Sequence, residues 1–282
     1  MRVAVLGSSG GMGGFFARYF LSKGAFVVGF DTRKRMVKNP RFRFARSNPE
    51  AATGADVIVI ATPIDKTVET VEEISKSLLP GACVVEITSI KGGMLETLKK
   101  LVAARRCKLL SLHPLFGPSL RVNGEMRFCV VETHAGAVER ARSLFPEARL
   151  IPMKARDHDR VMGVILSLTH LLNMAYAGVV GRYLSPAEFR RVQTPTSAVQ
   201  LTLAEGVLSQ SPSLYSYIQL ENEFSSEFAG ALAEEIASLR RLLERRDRRG
   251  FEERFEELSR RYAGESRTAL DLVYQAFEKS SR

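Results

Sequence analysis

Hydrophobic and polar positions follow two rules along this chain, and the change falls near residue 155. Before it, short apolar runs rich in Val, Ile and Phe recur at 2–6, 26–30, 57–61, 83–87, 109–112, 128–131 and 150–152. Such runs are too short for buried helices, and their β-branched and aromatic content predicts strands. Segments of helical period, such as 66–79 and 94–104, lie between most of them. Strands alternating with helices predict parallel βαβ units joined by right-handed crossovers. After residue 156 the strand signal stops. Helices are expected over about 157–182, 186–209, 212–245 and 248–279, punctuated by Ser185-Pro186 and Ser211-Pro212. The expected organisation is an α/β domain over 1–155 and an all-helical domain over 156–282.

Composition narrows this picture. A length of 282 residues suits two domains. The net charge of +10 invites a nucleic-acid reading, but the charge forms no tail and no helix-turn-helix, RNA-binding or zinc signature accompanies it. No nucleic-acid partner is expected; acidic small molecules suit the charge as well. The arginine-rich run 240–261 mixes Glu and Arg at helical spacing and predicts a solvated helix pair. Cys83, Cys107 and Cys129 are odd in number and widely spaced, as buried reduced thiols of a cytoplasmic protein would be. No His, Cys or carboxylate group has metal-ligand spacing, so no metal is expected. The chain enters its first strand directly, and no signal peptide is expected. Segment 161–181 carries no charge and is long enough to span a bilayer, yet it holds Ser167, Thr169, His170 and Asn173 between Arg160 and Arg182. It is expected to be a helix buried inside a domain or a dimer core rather than in a membrane.

Two clusters carry chemistry. The first strand runs into Gly7-Ser8-Ser9-Gly10-Gly11-Met12-Gly13 and then a helix. Glycines let backbone amides approach a pyrophosphate, and a helix N-terminus favours its charge. Aligned on Gly13, the fingerprint has Ser8 where the first glycine belongs, with Gly7 beside it to make the tight turn. The second strand ends in Asp31, placed to accept ribose hydroxyls, which favours NAD; Arg33 and Lys34 follow and leave NADP open. Thr62 and Pro63 end the third strand at the same edge. The N-terminal domain is therefore expected to be a doubly wound Rossmann-type parallel sheet with a dinucleotide in its crevice. The next two strands end in Thr88-Ser89-Ile90-Lys91 and in His113-Pro114-Leu115-Phe116-Gly117-Pro118. An imidazole there can take the proton of a substrate alcohol as hydride leaves its carbon; Ser89 is placed to orient it and Lys91 to hold an anion.

The glycine loop, TSIK, HPLFGP, His158-Asp159-Arg160, Leu168-Thr169-His170 and Ser211-Pro212-Ser213-Leu214-Tyr215 together resemble the prephenate dehydrogenase (TyrA) family, in its archaeal and fused bacterial form, over nearly the whole chain. The resemblance implies NAD-dependent oxidative decarboxylation of prephenate to 4-hydroxyphenylpyruvate in tyrosine biosynthesis. It implies His113 as catalytic histidine with Ser89 beside it, His170 in the substrate pocket, and a homodimer through the helical domain. His158 and Asp159 read equally as a helix cap or as substrate contacts. One position departs from the pattern: where bacterial members commonly carry an arginine that grips the side-chain carboxylate, this chain has Ala198. Lys91, Arg160, Arg190 or Arg191 would take over that grip. Arogenate dehydrogenase, another hydroxyacid dehydrogenase and a non-catalytic NAD-sensing module are the rival readings.

Overall fold

The structure is a computed structural model describing residues 1–35, 37–122, 124–262 and 266–280. Residues 263–265, inside the helix expected over 248–279, lie outside the described residues. The chain forms two compact units, Met1–Met162 and Gly163–Arg282. The division falls after α6 (Ala155–Met162) rather than at 155, because that helix buries His158, Asp159 and Met162.

The first unit is an eight-stranded sheet of β1 (Arg2–Leu6), β2 (Phe26–Phe30), β3 (Phe42–Phe44), β4 (Val57–Ile60), β5 (Cys83–Glu86), β6 (Lys108–Pro114), β7 (Arg127–Val131) and β8 (Arg149–Met153), in the order β3-β2-β1-β4-β5-β6-β7-β8. Its helices are α1 (Gly11–Ser22), α2 (Asn48–Ala52), α3 (Thr67–Ile74), α4 (Leu95–Ala103), α5 (Ala137–Leu144) and α6. Every residue of β4 and β5 is buried, as expected of strands covered on both faces. The order reverses direction at β1, so the crevice for a ligand opens beyond the carboxyl ends of β1 and β4.

Two features depart from the expected sheet: a strand that the apolar pattern does not show, and one antiparallel pairing. Edge strand β3 has three half-buried or exposed residues and gives no apolar run. β7 pairs antiparallel with β6, placing His113 opposite Cys129, and β8 runs parallel to β7. Among the described residues, the link between β6 and β7 contains no helix, so the chain turns back directly instead of crossing over.

The core forms around α1. Phe16 and Tyr19 pack on Phe145 at 5.9 and 5.2 Å, and Phe128 on Phe145 at 4.9 Å. Tyr19 Oη donates to Leu144 O at 3.0 Å, and burial pushes its pKa up to about 12.

The second unit comprises a π-helical turn (Gly163–Leu168), α7 (Thr169–Tyr183), α8 (Pro186–Val192), α9 (Pro195–Leu208), α10 (Pro212–Glu221), α11 (Ser225–Glu244), α12 (Arg248–Tyr262) and α13 (Ser266–Ser280). The helix expected over 186–209 is two, because Pro195 holds Thr194 extended (ψ 163°), where it caps α9. The helix expected over 212–245 also divides: Asn222 leaves helical geometry and its Oδ1 accepts the Phe224 amide at 2.9 Å. Gly163 admits α11, since a Cβ there would lie 2.6 Å from the Phe228 ring. The arginine-rich run is a solvated helix pair, with Arg254 bonded to Glu235 and Glu257.

This unit buries little apolar surface of its own. Its buried hydrophobic residues, among those described, are Phe189, Ala198, Ala204, Ile218 and Phe224. Ile165, Val179, Leu203, Leu208, Leu220 and Ile236 are all exposed. Ala155–Tyr183 is one continuous helix, long and apolar enough to cross a membrane, with 17% of its most apolar window buried inside the chain. The expected burial of 161–181 is therefore not supplied by the chain's own domain.

Candidate active site

Gly7 has φ +85°, and a Cβ there would stand 2.4 Å from Ala61 O. It makes the tight turn, with the Gly7 and Ser8 amides both donating to Phe30 O (2.8 and 3.1 Å). Gly13 seats α1 on that turn, since its Cβ would lie 2.0 Å from Gly7 O. Gly10 caps α1 without a side-chain bond, and Met12 packs on the core behind it. Ser9 N donates to Asp31 Oδ2 and Arg33 N to Asp31 Oδ1, each at 3.0 Å, so Asp31 ties the glycine loop to the end of β2. Ser9 Oγ accepts the Arg35 amide. The Ser8 side chain is buried against Gly29, where a Cβ would meet Ser8 Oγ at 2.5 Å, and faces away from solvent. Thr62 and Pro63 follow β4 at the crevice, with Thr62 Oγ1 accepting from Thr70. Pro118 of the HPLFGP segment closes over Gly11, leaving no room for a Cβ. A Cβ-free cradle at a helix N-terminus, backed by a carboxylate, fits a dinucleotide.

His113 is the penultimate residue of β6 and is 5% exposed. Its Nδ1 lies 3.0 Å from Nε2 of His158 on α6, whose Nδ1 lies 2.8 Å from Asp159 Oδ1. Asp159 also accepts the amides of Lys91 (2.9 Å) and Gly92 (2.6 Å). Burial, with the Lys91 ammonium and His158 adding to it, holds the His113 pKa well below 6.5. Burial also lowers that of His158, against the pull of Asp159.

Two expected roles are corrected. Lys91 is fully buried, with Nζ on Glu86 Oε1 and Leu112 O, both at 2.7 Å; it cannot present its charge to a substrate anion. Desolvation lowers its pKa against the pull of Glu86. His113 is oriented through Nδ1 by His158, not by Ser89, which sits half-buried in the loop after β5. His158 and Asp159 are neither cap nor exposed contact but buried partners of His113 and of the Lys91–Gly92 turn. Sequence reasoning missed Glu86, which also accepts from Thr88 and Ser111. Its signal was a lone carboxylate in an otherwise apolar strand. Arg160 is exposed on α6.

Within the helical unit, the His170 ring packs on Tyr215 at 4.3 Å. Tyr215 lines a cavity of about 320 Å³ with Met174, Val207, Pro212 and Gln219. His170 Nδ1 is buried without a hydrogen-bond partner among the described residues, and burial lowers its pKa. Ala198 is buried, and Arg190 pairs with Glu205 at 2.6 Å.

Comparison with known proteins agrees with this layout. A "Probable arogenate/prephenate dehydrogenase" of Methanocaldococcus jannaschii is 25% identical over 284 residues, covering 95% of this chain and 62% of its own length. The chain thus spans less than two thirds of that relative. A "4-amino-4-deoxyprephenate dehydrogenase" of Streptomyces pristinaespiralis is 27% identical over 267 residues, covering 91% of this chain and 90% of its own. The crystal structure of Aquifex aeolicus prephenate dehydrogenase with hydroxyphenyl propionate and NAD+ superposes with a TM-score of 0.75 at 18% identity, over 93% of this chain and 97% of that one. At that identity the likeness is one of fold. Residues 16–125 match the family described as "Prephenate dehydrogenase, nucleotide-binding domain" and residues 154–257 the one described as "Prephenate dehydrogenase, dimerization domain". With the two matches covering most of its length, in order, the chain belongs to the prephenate dehydrogenase family.

Proposed function

We propose that the chain oxidises prephenate with NAD to 4-hydroxyphenylpyruvate and carbon dioxide, with His113 as the base. The observation that carries this reading is a histidine at a strand's carboxyl end whose surroundings keep it neutral at physiological pH. A neutral imidazole can accept a proton; an imidazolium cannot. Bound by the Gly7–Gly13 loop, with Asp31 toward the ribose and Thr62 and Pro63 at the crevice edge, NAD supplies the hydride acceptor. His113 takes the C4 hydroxyl proton, and departure of the ring carboxylate as carbon dioxide makes the ring aromatic. On the substrate side the reading assigns Arg160 and His170.

The test is direct. NADH absorbance is followed with NAD and prephenate, then arogenate, then 4-amino-4-deoxyprephenate, the compound named for the Streptomyces relative. Turnover is expected with prephenate. Turnover with an amino compound alone would reassign the substrate, and none with any would sink the reading. His113→Asn should lower kcat on the order of 10²–10⁴-fold while NAD binding persists. Arg160→Ala and His170→Phe should raise KM more than they lower kcat.

The working unit is proposed to be a homodimer through the helical unit. The exposed apolar side chains of 163–282, together with the match to a dimerization domain, support it.

A further inference from the structure

We infer that Asp159 and His158 act as a tautomer relay holding the His113 proton on Nδ1, so that Nε2 presents its lone pair to the substrate. The inference rests on His113 being the base and adds how it is kept in basic form. A carboxylate only accepts hydrogen bonds, so in the contact of His158 Nδ1 with Asp159 Oδ1 (2.8 Å) the imidazole donates. Neutral His158 then has a bare Nε2. That atom lies 3.0 Å from His113 Nδ1, so His113 donates from Nδ1 and its own Nε2 is left unprotonated. In water, neutral histidine prefers the proton on Nε2, the tautomer that would block the base. The relay reverses that preference through two buried hydrogen bonds.

The relay's anchor is held as firmly as its links. Asp159 is fastened by the backbone amides of Lys91 and Gly92, which can only donate. Gly92 permits the approach, since a Cβ there would lie 3.3 Å from Asp159 Oδ2. His158 is fully buried and Asp159 nearly so, which keeps water from offering alternative donors. The loop after β5 and helix α6 thus converge on one atom of β6. His158 and Asp159 are positioning residues, acting on the reaction only through His113, much as a buried aspartate sets the imidazole tautomer in serine-protease triads.

The experiment reads the tautomer first and the rate second. Nitrogen-15 spectra of the full chain labelled at histidine should show His113 with a protonated Nδ1 and a bare Nε2; a His113 protonated at Nε2 would overturn the relay whether or not the protein turns over. His158→Gln places an amide oxygen near the former Nε2 and should keep both the Nδ1–H form and most of kcat. His158→Leu removes the acceptor; it should move the proton to Nε2 and lower kcat on the order of 10²–10⁴-fold with KM and NAD affinity little changed. Equal kcat in the Gln and Leu variants, in a protein that His113→Asn inactivates, would discard the relay and leave the base assignment standing. Wild-type protein inert to every substrate would discard the reaction, while the spectrum still decides the tautomer.

Discussion

Lys91 and Glu86 illustrate what single residues contribute. The pair is sealed from solvent, so removing one partner strands a charge. Glu86→Gln should cost roughly 3–5 kcal/mol of stability in denaturant unfolding, whereas Glu86→Leu with Lys91→Met together should cost far less. If the single variant is as stable as wild type, the pair carries no buried charge. Lys91 also acts on its neighbour: its ammonium, together with burial and His158, depresses the His113 pKa. Lys91→Met should therefore raise that pKa and move the acid limb of kcat/KM to higher pH; a shift to lower pH would contradict the geometry. Asp31 has two jobs. Asp31→Ala should weaken NAD preference over NADP and, because the carboxylate also holds the Ser9 and Arg33 amides, weaken both cofactors. An unchanged NAD/NADP affinity ratio would remove Asp31 from the ribose. Motif position singled out His113 and Asp31 in the sequence, but Lys91 read as an anion ligand, because its buried partner Glu86 is a single carboxylate in a strand that is otherwise apolar.

Elements make the glycine loop intelligible. Gly13 is required not by φ but by contact, its missing Cβ lying 2.0 Å from Gly7 O, where α1 meets the end of β1. Gly13→Ala must displace the helix. It should lower Tm by the equivalent of about 1–3 kcal/mol and abolish the stabilisation that added NAD gives wild type in a thermal melt. Retention of that stabilisation would show that the loop's amides do not hold the cofactor. Strands β4 and β5, buried throughout, and β1, buried from Val3 onward, were legible because covering on both faces demands a nearly continuous apolar run, broken in β5 only by Glu86. β3 was not, because a three-residue edge strand buries too little to shape its sequence. The reversal of β7 was not, because strand direction depends on what the connection contains, and HPLFGP reads as chemistry before it reads as a turn. Among the helices, the break before Pro195 was written in the Thr194-Pro195 pair, but apolar spacing continued across it.

At the scale of the molecule, the two units differ in how their apolar surface is covered. The sheet unit closes its own core; the helical unit leaves most large apolar side chains open. The sequence predicts a buried setting for 161–181 that the helical unit does not supply, and this is one ground for the proposed homodimer. The first unit adds a pH signature. His113 and His158 titrate below 6.5 when folded and near it when unfolded, so the unfolded chain binds more protons as pH falls through that value. Their contribution is complete above about pH 6.5 and is lost toward the folded pKa values. Unfolding free energy should drop on acidification by up to roughly 1.4 kcal/mol per pH unit per histidine, and less steeply in His158→Gln; equal slopes would mean that His158 is not buried neutral. The helical unit gives the opposite kind of signature, one of concentration. In the homodimer proposed above, a second copy on the exposed faces of α7, α9 and α11 would bind only folded chain, so mass action would tie stability to protein concentration. Tm should rise on going from nanomolar to micromolar protein, and sedimentation should give twice the mass of one chain. Ile165→Glu, placing charge on an exposed position of that surface, should shift both toward monomer. A monodisperse monomer at micromolar concentration, with a concentration-independent Tm, would mean that something other than this chain covers the helices, and binding to lipid vesicles would then identify a bilayer as the cover.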